Sequence, residues 1–202
     1  MGKVIIDMTM SIDGFIAGPQ DGPANGLGKR DGMRLHDWLF NGPVRNKYNG
    51  FFKPKGANRP VVNRMFERTG AMIFGRRTYD ITHGWNGSHP IPNLPIFILT
   101  HQPPKKVPPG NSSFVFIKDG IKSAVSKAKK AAGKKDIMIG GASACQQALK
   151  EGLVDELYLH IANRVMGKGV LLFENPGNYF GPLKRISCEP GPDVTHLRYR
   201  VK

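Results

Sequence analysis

The chain has 202 residues with a hydrophobic fraction of 40%, the length of about one domain and the composition of a sequence that folds. Thirty Lys and Arg stand against 15 Asp and Glu, a net charge of +15, so an anionic partner is expected, whether nucleic acid, an anionic membrane surface or a phosphorylated ligand. Two cysteines exclude a disulfide framework, Asp7 interrupts the apolar start that a signal peptide would need, and no apolar run approaches the ~18 residues of a membrane span; a soluble, cytoplasmic protein is expected.

In chain order, Val4 to Ser11 reads as a strand that breaks at Asp13-Gly14. The stretch 18–32 holds too many glycines and prolines for a regular element and reads as a long lid-like loop. Pro60 to Thr69 carries Val61, Val62, Met65 and Phe66 at helical spacing, opens on proline and is followed by Gly70. Ala71 to Phe74 and Pro95 to Leu99 are short, continuous apolar runs suited to strands buried on both faces, and Val115 and Ile117 mark another. Ile121 to Ala132 puts its apolar residues on one helical face and Lys122, Lys127, Lys129 and Lys130 on the other. Asp136 to Ile139 is a strand, Ser143 to Glu151 a helix closed by Gly152, and Leu157 to Val165 a long strand. Lys184 to Glu189 and Val194 to Val201 alternate about a turn at Pro190 to Asp193, as an antiparallel pair does.

Alternating strands and helices followed by antiparallel strands predict a three-layer α/β fold, a mixed and mostly parallel sheet with helices on both faces. The whole span 1–202 reads as one domain. Ligands of such sheets bind beyond the carboxyl ends of the strands, which directs attention to four loops. Gly140-Gly141, between a strand and a helix that begins at Ala142-Ser143, lets the backbone approach a phosphate at the positive end of the helix. Gly75-Arg76-Arg77-Thr78 offers two guanidiniums and a hydroxyl, groups that suit another phosphate. Thr100-His101 ends a third strand. Asp13, the single carboxylate of these loops, is either a turn former or a group that orients a substrate. Taken one at a time, the glycine pair is also a plain tight turn, and the arginines a solvated helix start. The lysine-rich stretch 118–135 reads as a solvated helix face, without the interleaved aromatics that stack bases. Six histidines lack metal spacing, so no metal is expected, and Cys145 reads as a packing residue.

Together MSIDGFIAG, IFGRRTYD, FILTHQ, IMIGGASACQQAL and VMGKGVLLFE, in that order, resemble the dihydrofolate-reductase-like superfamily. More narrowly, they resemble the C-terminal reductase domain of the bifunctional riboflavin-biosynthesis deaminase-reductases, as a stand-alone relative. The resemblance implies about eight strands, NADPH across the strand ends and a homodimer. It assigns Gly75, Arg76, Arg77 and Thr78 to the adenosine 2′-phosphate and pyrophosphate, Thr100 and His101 to the adenosine phosphate side, and Gly140, Gly141, Ala142 and Ser143 to the pyrophosphate. Ile16, Ala17 and Gly18 fall beside the nicotinamide, and Asp13 and Trp38 toward the substrate. The pattern departs at two places: Asp7 stands where the riboflavin-pathway reductases carry lysine, and Ile139 where they carry glutamate. The expected activity is NADPH-dependent hydride transfer to a small polar heterocycle, pyrimidine or pterin-like, with Asp13 orienting substrate or a proton source. A basic nucleic-acid-binding protein and a non-catalytic NADPH-binding protein of the same fold are the alternatives.

Overall fold

The structure, a computed structural model, describes residues 2–174 and 181–201. In chain order it comprises β1 (Val4–Ser11), β2 (Phe15–Ala17), α1 (Lys29–Arg34), α2 (Asp37–Phe40), α3 (Asn58–Arg68), β3 (Thr69–Gly75), α4 (Arg76–Ile81), β4 (Pro95–Leu99), β5 (Ser113–Ile117), α5 (Gly120–Ala132), β6 (Asp136–Gly140), α6 (Ala142–Lys150), β7 (Glu156–Ala162), β8 (Val170–Leu171), β9 (Lys184–Gly191) and β10 (Val194–Arg200).

Eight of the strands form one sheet in the order β5-β4-β3-β6-β1-β7-β10-β9. The six from β5 to β7 are parallel, and β10 and β9 run antiparallel at one edge. This is the mixed, mostly parallel sheet that the sequence implies. Strand alternation distributes the layers. Val4 and Ile6 of β1 point into the main core, with Ala124 and Ala128 of α5 and Ala148 and Leu149 of α6. Asp7, the next residue along, faces the other side, where Arg68 of α3 meets it. The apolar stripe of α5, from Ile121 to Ala132, is buried as its spacing requires, while Lys122 and Lys127 pair with Glu151 and Asp119 at the surface.

Boundaries move where tertiary contacts outweigh local pattern. The helix expected from Pro60 begins at Asn58, and Thr69 already belongs to β3. The strand expected to reach Val165 ends at Ala162, where the chain turns back and Arg164 N–H donates to the Ala162 carbonyl at 2.7 Å. The loop 18–32 is not featureless. Gly22 and Gly26 form an antiparallel bridge, α1 starts inside the loop, and Gly18 packs so closely on Gly28 that a Cβ on Gly28 would lie 2.6 Å from the Gly18 carbonyl carbon. Short β2 pairs with β8, fixing the base of this loop against the segment 163–171.

Candidate functional site

Parallel strands that all end on one side leave a trough above their carboxyl ends. Here it is a cleft of about 900 Å³, near the upper end of the ~300–1,000 Å³ usual for small-molecule sites. Strand order fixes its layout. The ends of β3, β4 and β5 supply Arg76, Arg77, Thr100, His101 and Lys118, a basic end. The end of β6 supplies Gly140 to Ser143 in the middle, and β1 and β2 supply Asp7, Met8, Ile16 and Ala17 at the far end, together with Leu27 and His36.

The middle is built by close approach. Gly141 has φ 83°, and a Cβ there would sit 2.6 Å from Thr78 Oγ1, while a Cβ on Gly140 would sit 2.5 Å from the Phe74 ring. Only glycine fits both constraints at Gly141. The next residue opens the nine-residue α6, whose first amides have no partner within the helix and carry the positive end of its dipole toward the cleft. A Cβ on Gly75, by contrast, would meet nothing within 4 Å, so the backbone there borders open space. Glycines that let the chain crowd at Gly140-Gly141, a helix start and a basic end form a donor set that suits a phosphate-bearing dinucleotide.

At the basic end both arginines already have protein partners. Arg76 Nε donates to Asp80 Oδ1 at 2.8 Å, and its Nη1 to the Gln102 carbonyl. Arg77 Nε donates to Asp21 Oδ2 at 2.9 Å and its Nη2 to the Asp21 carbonyl at 2.7 Å. The second pair ties the loop 18–32 across the mouth of the cleft. Thr100 Oγ1 donates to the Gln102 carbonyl at 2.9 Å, holding the turn after β4.

Twelve of the residues singled out from the sequence therefore meet in one cleft: Ile16, Ala17, Gly75, Arg76, Arg77, Thr78, Thr100, His101, Gly140, Gly141, Ala142 and Ser143. Gly18 lies behind this lining, packed on Gly28. Asp13 and Trp38 are also outside it. The Asp13 carboxylate accepts from Met166 N–H at 3.1 Å and Gly167 N–H at 2.7 Å. The Ser11 hydroxyl, most of all, and then these two amides hold its pKa at about 2 against the opposite push of burial. Its observed contacts tie the segment 163–171 to β1. Trp38 is buried on the α3 side of the sheet, its indole N–H donating to Thr9 Oγ1 at 3.2 Å. Cys145 is fully buried, and that burial raises its thiol pKa, as for a packing residue. No group of three or more His, Cys, Asp or Glu side chains is gathered as for a metal among the described residues.

Residues that the sequence left unassigned also line the site. Lys118 joins the basic end, and His36 the far end. The His36 Nδ1 is buried with no partner among the described residues, and burial pulls the ring down to about 4. Asp7 lines the far end and is held from behind. Its Oδ2 accepts from Arg68 Nη2 at 3.1 Å, and its Oδ1 lies 3.0 Å from His160 Nε2. Burial alone would raise the Asp7 pKa; the bond to His160 and the charges of His160, Arg68 and His196 outweigh it and keep the carboxyl below its ordinary value. The signal was available as alternation, since Asp7, Thr9 and Ser11 share one face of β1.

Known proteins share this architecture. A putative riboflavin biosynthesis protein from Shewanella sp. PV-4 superposes with a TM-score of 0.65 at 24% identity, over 98% of both chains. A diaminohydroxyphosphoribosylaminopyrimidine deaminase/5-amino-6-(5-phosphoribosylamino)uracil reductase from Thermotoga maritima gives 0.65 at 13% identity, over 98% of this chain and 56% of that one. Dihydrofolate reductase from Enterococcus faecalis, solved with NADP(H), gives 0.51 at 16% identity over 70% of this chain and 81% of that one, so the fold is dihydrofolate-reductase-like. In sequence, YwjB of Bacillus subtilis is 24% identical over 178 residues, 87% of this chain and 85% of its own. The match that decides affiliation runs from residue 2 to residue 191, and by it the chain belongs to the family of the RibD C-terminal domain.

Proposed function

We propose that the protein is an NADPH-dependent reductase that delivers hydride to a small polar heterocycle, a pyrimidine or a pterin-like ring. The observation that carries this reading is the ordered polarity of the cleft: basic side chains at one end, Gly140-Gly141 and the start of α6 in the middle, and Ile16, Ala17 and Met8 at the other. A phosphorylated adenosine, a pyrophosphate and a flat, weakly polar nicotinamide ask for those surroundings in that order. Arg76, Arg77, Thr100, His101 and Lys118 would hold the 2′-phosphate end, Gly75 and Thr78 with Gly140 to Ser143 the pyrophosphate, and Ile16 and Ala17 the nicotinamide, with Gly18 behind them. When bound, the dinucleotide supplies hydride; the chain supplies position, a dry pocket and a proton. Asp13 serves this chemistry by fixing the loop against β1, and Trp38 by closing the substrate side beneath Asp7.

The substrate class rests on family membership and on the names of the related reductases, one of which is named for a phosphoribosylaminouracil. Asp7 and Ile139, at the two departures from the riboflavin-pathway pattern, point to a ring of the same general class with different substituents. We also read the chain as one such reductase domain, working in the cytoplasm as a homodimer. Leu197 and Tyr199, on one face of β10, stay only partly covered and would be buried by a second copy. Light scattering tests the dimer. Titration with NADPH and NADH, followed by a panel of pyrimidines, pterins and simple carbonyl compounds with NADPH oxidation as readout, tests the activity. NADPH oxidation by a pyrimidine or pterin supports the reading, and a chain that binds neither dinucleotide refutes it.

A further inference from the structure

On the side of the sheet facing α3 the strands carry an unusual row of polar residues. Asp7 of β1, His160 of β7 and His196 of β10 lie side by side, and Asn58 of α3 closes the row. Donor and acceptor counting along this row leaves little freedom. The Asn58 amide nitrogen donates to the carbonyls of Trp38 at 3.3 Å and Pro192 at 3.2 Å, so its Oδ1 is the atom that faces His196 Nε2 at 3.1 Å. His196 must donate there. Burial, with the charges of His160 and Arg64, drops its pKa to about 3, so the ring is neutral and its Nδ1 is an acceptor. That nitrogen lies 2.8 Å from His160 Nδ1, which must therefore donate. The remaining nitrogen, His160 Nε2, faces Asp7 Oδ1 at 3.0 Å. Two lone pairs would repel at that distance, so the contact requires a proton between them.

Among the described residues Asp7 is also the one that lines both the large cleft and a small cavity on the α3 side, bordered by Arg64, Arg68, Tyr158, Glu189 and Arg198. That cavity has about 20 Å³, room for roughly one water, which needs ~10–15 Å³. Its Arg64–Glu189 pair is 42% and 37% exposed, so the cavity reaches toward solvent. The buried Nε atoms of Arg68 and Arg198, two of its lining residues, have no partner among the described residues, which suits a water.

We propose that Asp7 is the catalytic proton donor of this reductase, charged by the proton that it shares with His160 and resupplied through the small cavity. The inference rests on the reductase reading above. As hydride forms the new C–H bond at a C=N or C=O carbon, the π pair moves to the nitrogen or oxygen. Asp7 takes the proton on His160 Nε2 and passes that same proton to this atom, which leaves a neutral His160 and the Asp7 carboxylate. The dinucleotide is oxidised by two electrons, the substrate is reduced by two, and a water-borne proton restores the pair. His160, His196 and Asn58 are positioning residues: the amide orientation of Asn58 fixes the tautomer of His196, which accepts from His160 Nδ1 and keeps the proton at the end nearest the cleft. The other charged groups around the pair are Arg68 on Asp7 Oδ2, Arg64 near His196, and Arg198 stacked with Arg68 on Tyr158. Arg64 is itself paired with Glu189 and Arg198 with Glu156; Arg68 keeps the carboxylate in place without competing for the proton.

Long-range ¹H–¹⁵N histidine spectra of the full chain at pH 7, without ligand, test the stored proton. Expected are His196 protonated at Nε2 alone and His160 protonated at both nitrogens. In Asp7→Asn, His160 Nε2 should move to the position of a bare ring nitrogen. If that variant does not fold, His196→Phe removes the acceptor of His160 Nδ1 and should free one ring proton. A bare His160 Nε2 in the unmodified chain, or no change in a folded variant, overturns the proposal. With a compound from the panel, Asp7→Asn should lower kcat by about 10²–10⁴ while NADPH affinity is kept; an undiminished kcat overturns the proposal. If the panel yields no turnover, the reductase reading fails, while the spectra still decide whether the proton is there.

Discussion

Arg77 is contested. The structure gives its guanidinium to Asp21, whereas the proposed cofactor would present a 2′-phosphate to the same side chain. Arg77 is 65% exposed and Asp21 8%, so the pair is worth about 0.2–1 kcal/mol, in the range of solvent-screened ion pairs. Charge-assisted bonds to a phosphate are worth about 1.5–3 kcal/mol. The phosphate should win, with the lost pair as a tax on affinity. Asp21→Asn therefore should tighten NADPH binding about 2–5-fold, and Arg77→Ala should weaken it about 10–150-fold. NADH, which lacks that phosphate, should respond weakly to both. Fluorescence titration of the two dinucleotides against the three proteins gives all six constants. If Arg77→Ala weakens NADH as much as NADPH, Arg77 does not read the 2′-phosphate. If Asp21→Asn weakens NADPH, the Asp21 tie orders the site rather than competing for it.

Gly141→Ala should cost about 1–2 kcal/mol from its left-handed φ alone, with a further clash against Thr78 Oγ1, and should lower both Tm and NADPH affinity; thermal melts with and without NADPH separate the two effects. Asp13→Asn removes the anion that two amides share, so hydrogen exchange at Met166 and Gly167 should quicken, and unchanged protection would deny the tie. The Asp13 carboxyl is depressed to about 2, so its contribution is complete above the ordinary carboxylate range near pH 4 and is lost as pH falls toward 2. Exchange at those two amides, followed from pH 5 down to pH 2, should rise only at the acid end.

Much of the fold was legible because local pattern and global packing agree. Continuous apolar runs such as 71–74 and 95–99 are strands buried on both faces, and the lysine face of α5 marks its outer side. The candidate cleft was equally legible, since Gly75 to Thr78 and Gly140 to Ser143 are contiguous motifs whose neighbours in sequence are neighbours in its lining. The far end was not. Asp7, His160, His196 and Asn58 lie on four different elements and meet only through sheet pairing and the packing of α3 on the sheet, with His160 opposite His196 in register. Single-residue readings miss such a row. Asp13 has two readings for the opposite reason: a carboxylate in an Asp-Gly turn at a strand end has the same local signature whether it faces a ligand or accepts from the amides of a distant loop, as it does here.

Binding of the dinucleotide is the claim on which the rest depends, and calorimetric titration of the unmodified chain with NADPH and with NADH tests it without any substrate. Saturable binding at one site per chain is expected, with NADPH at least about tenfold tighter, the margin that one charge-assisted phosphate contact supplies. Equal affinity for the two, or no saturable heat from either, would contradict it.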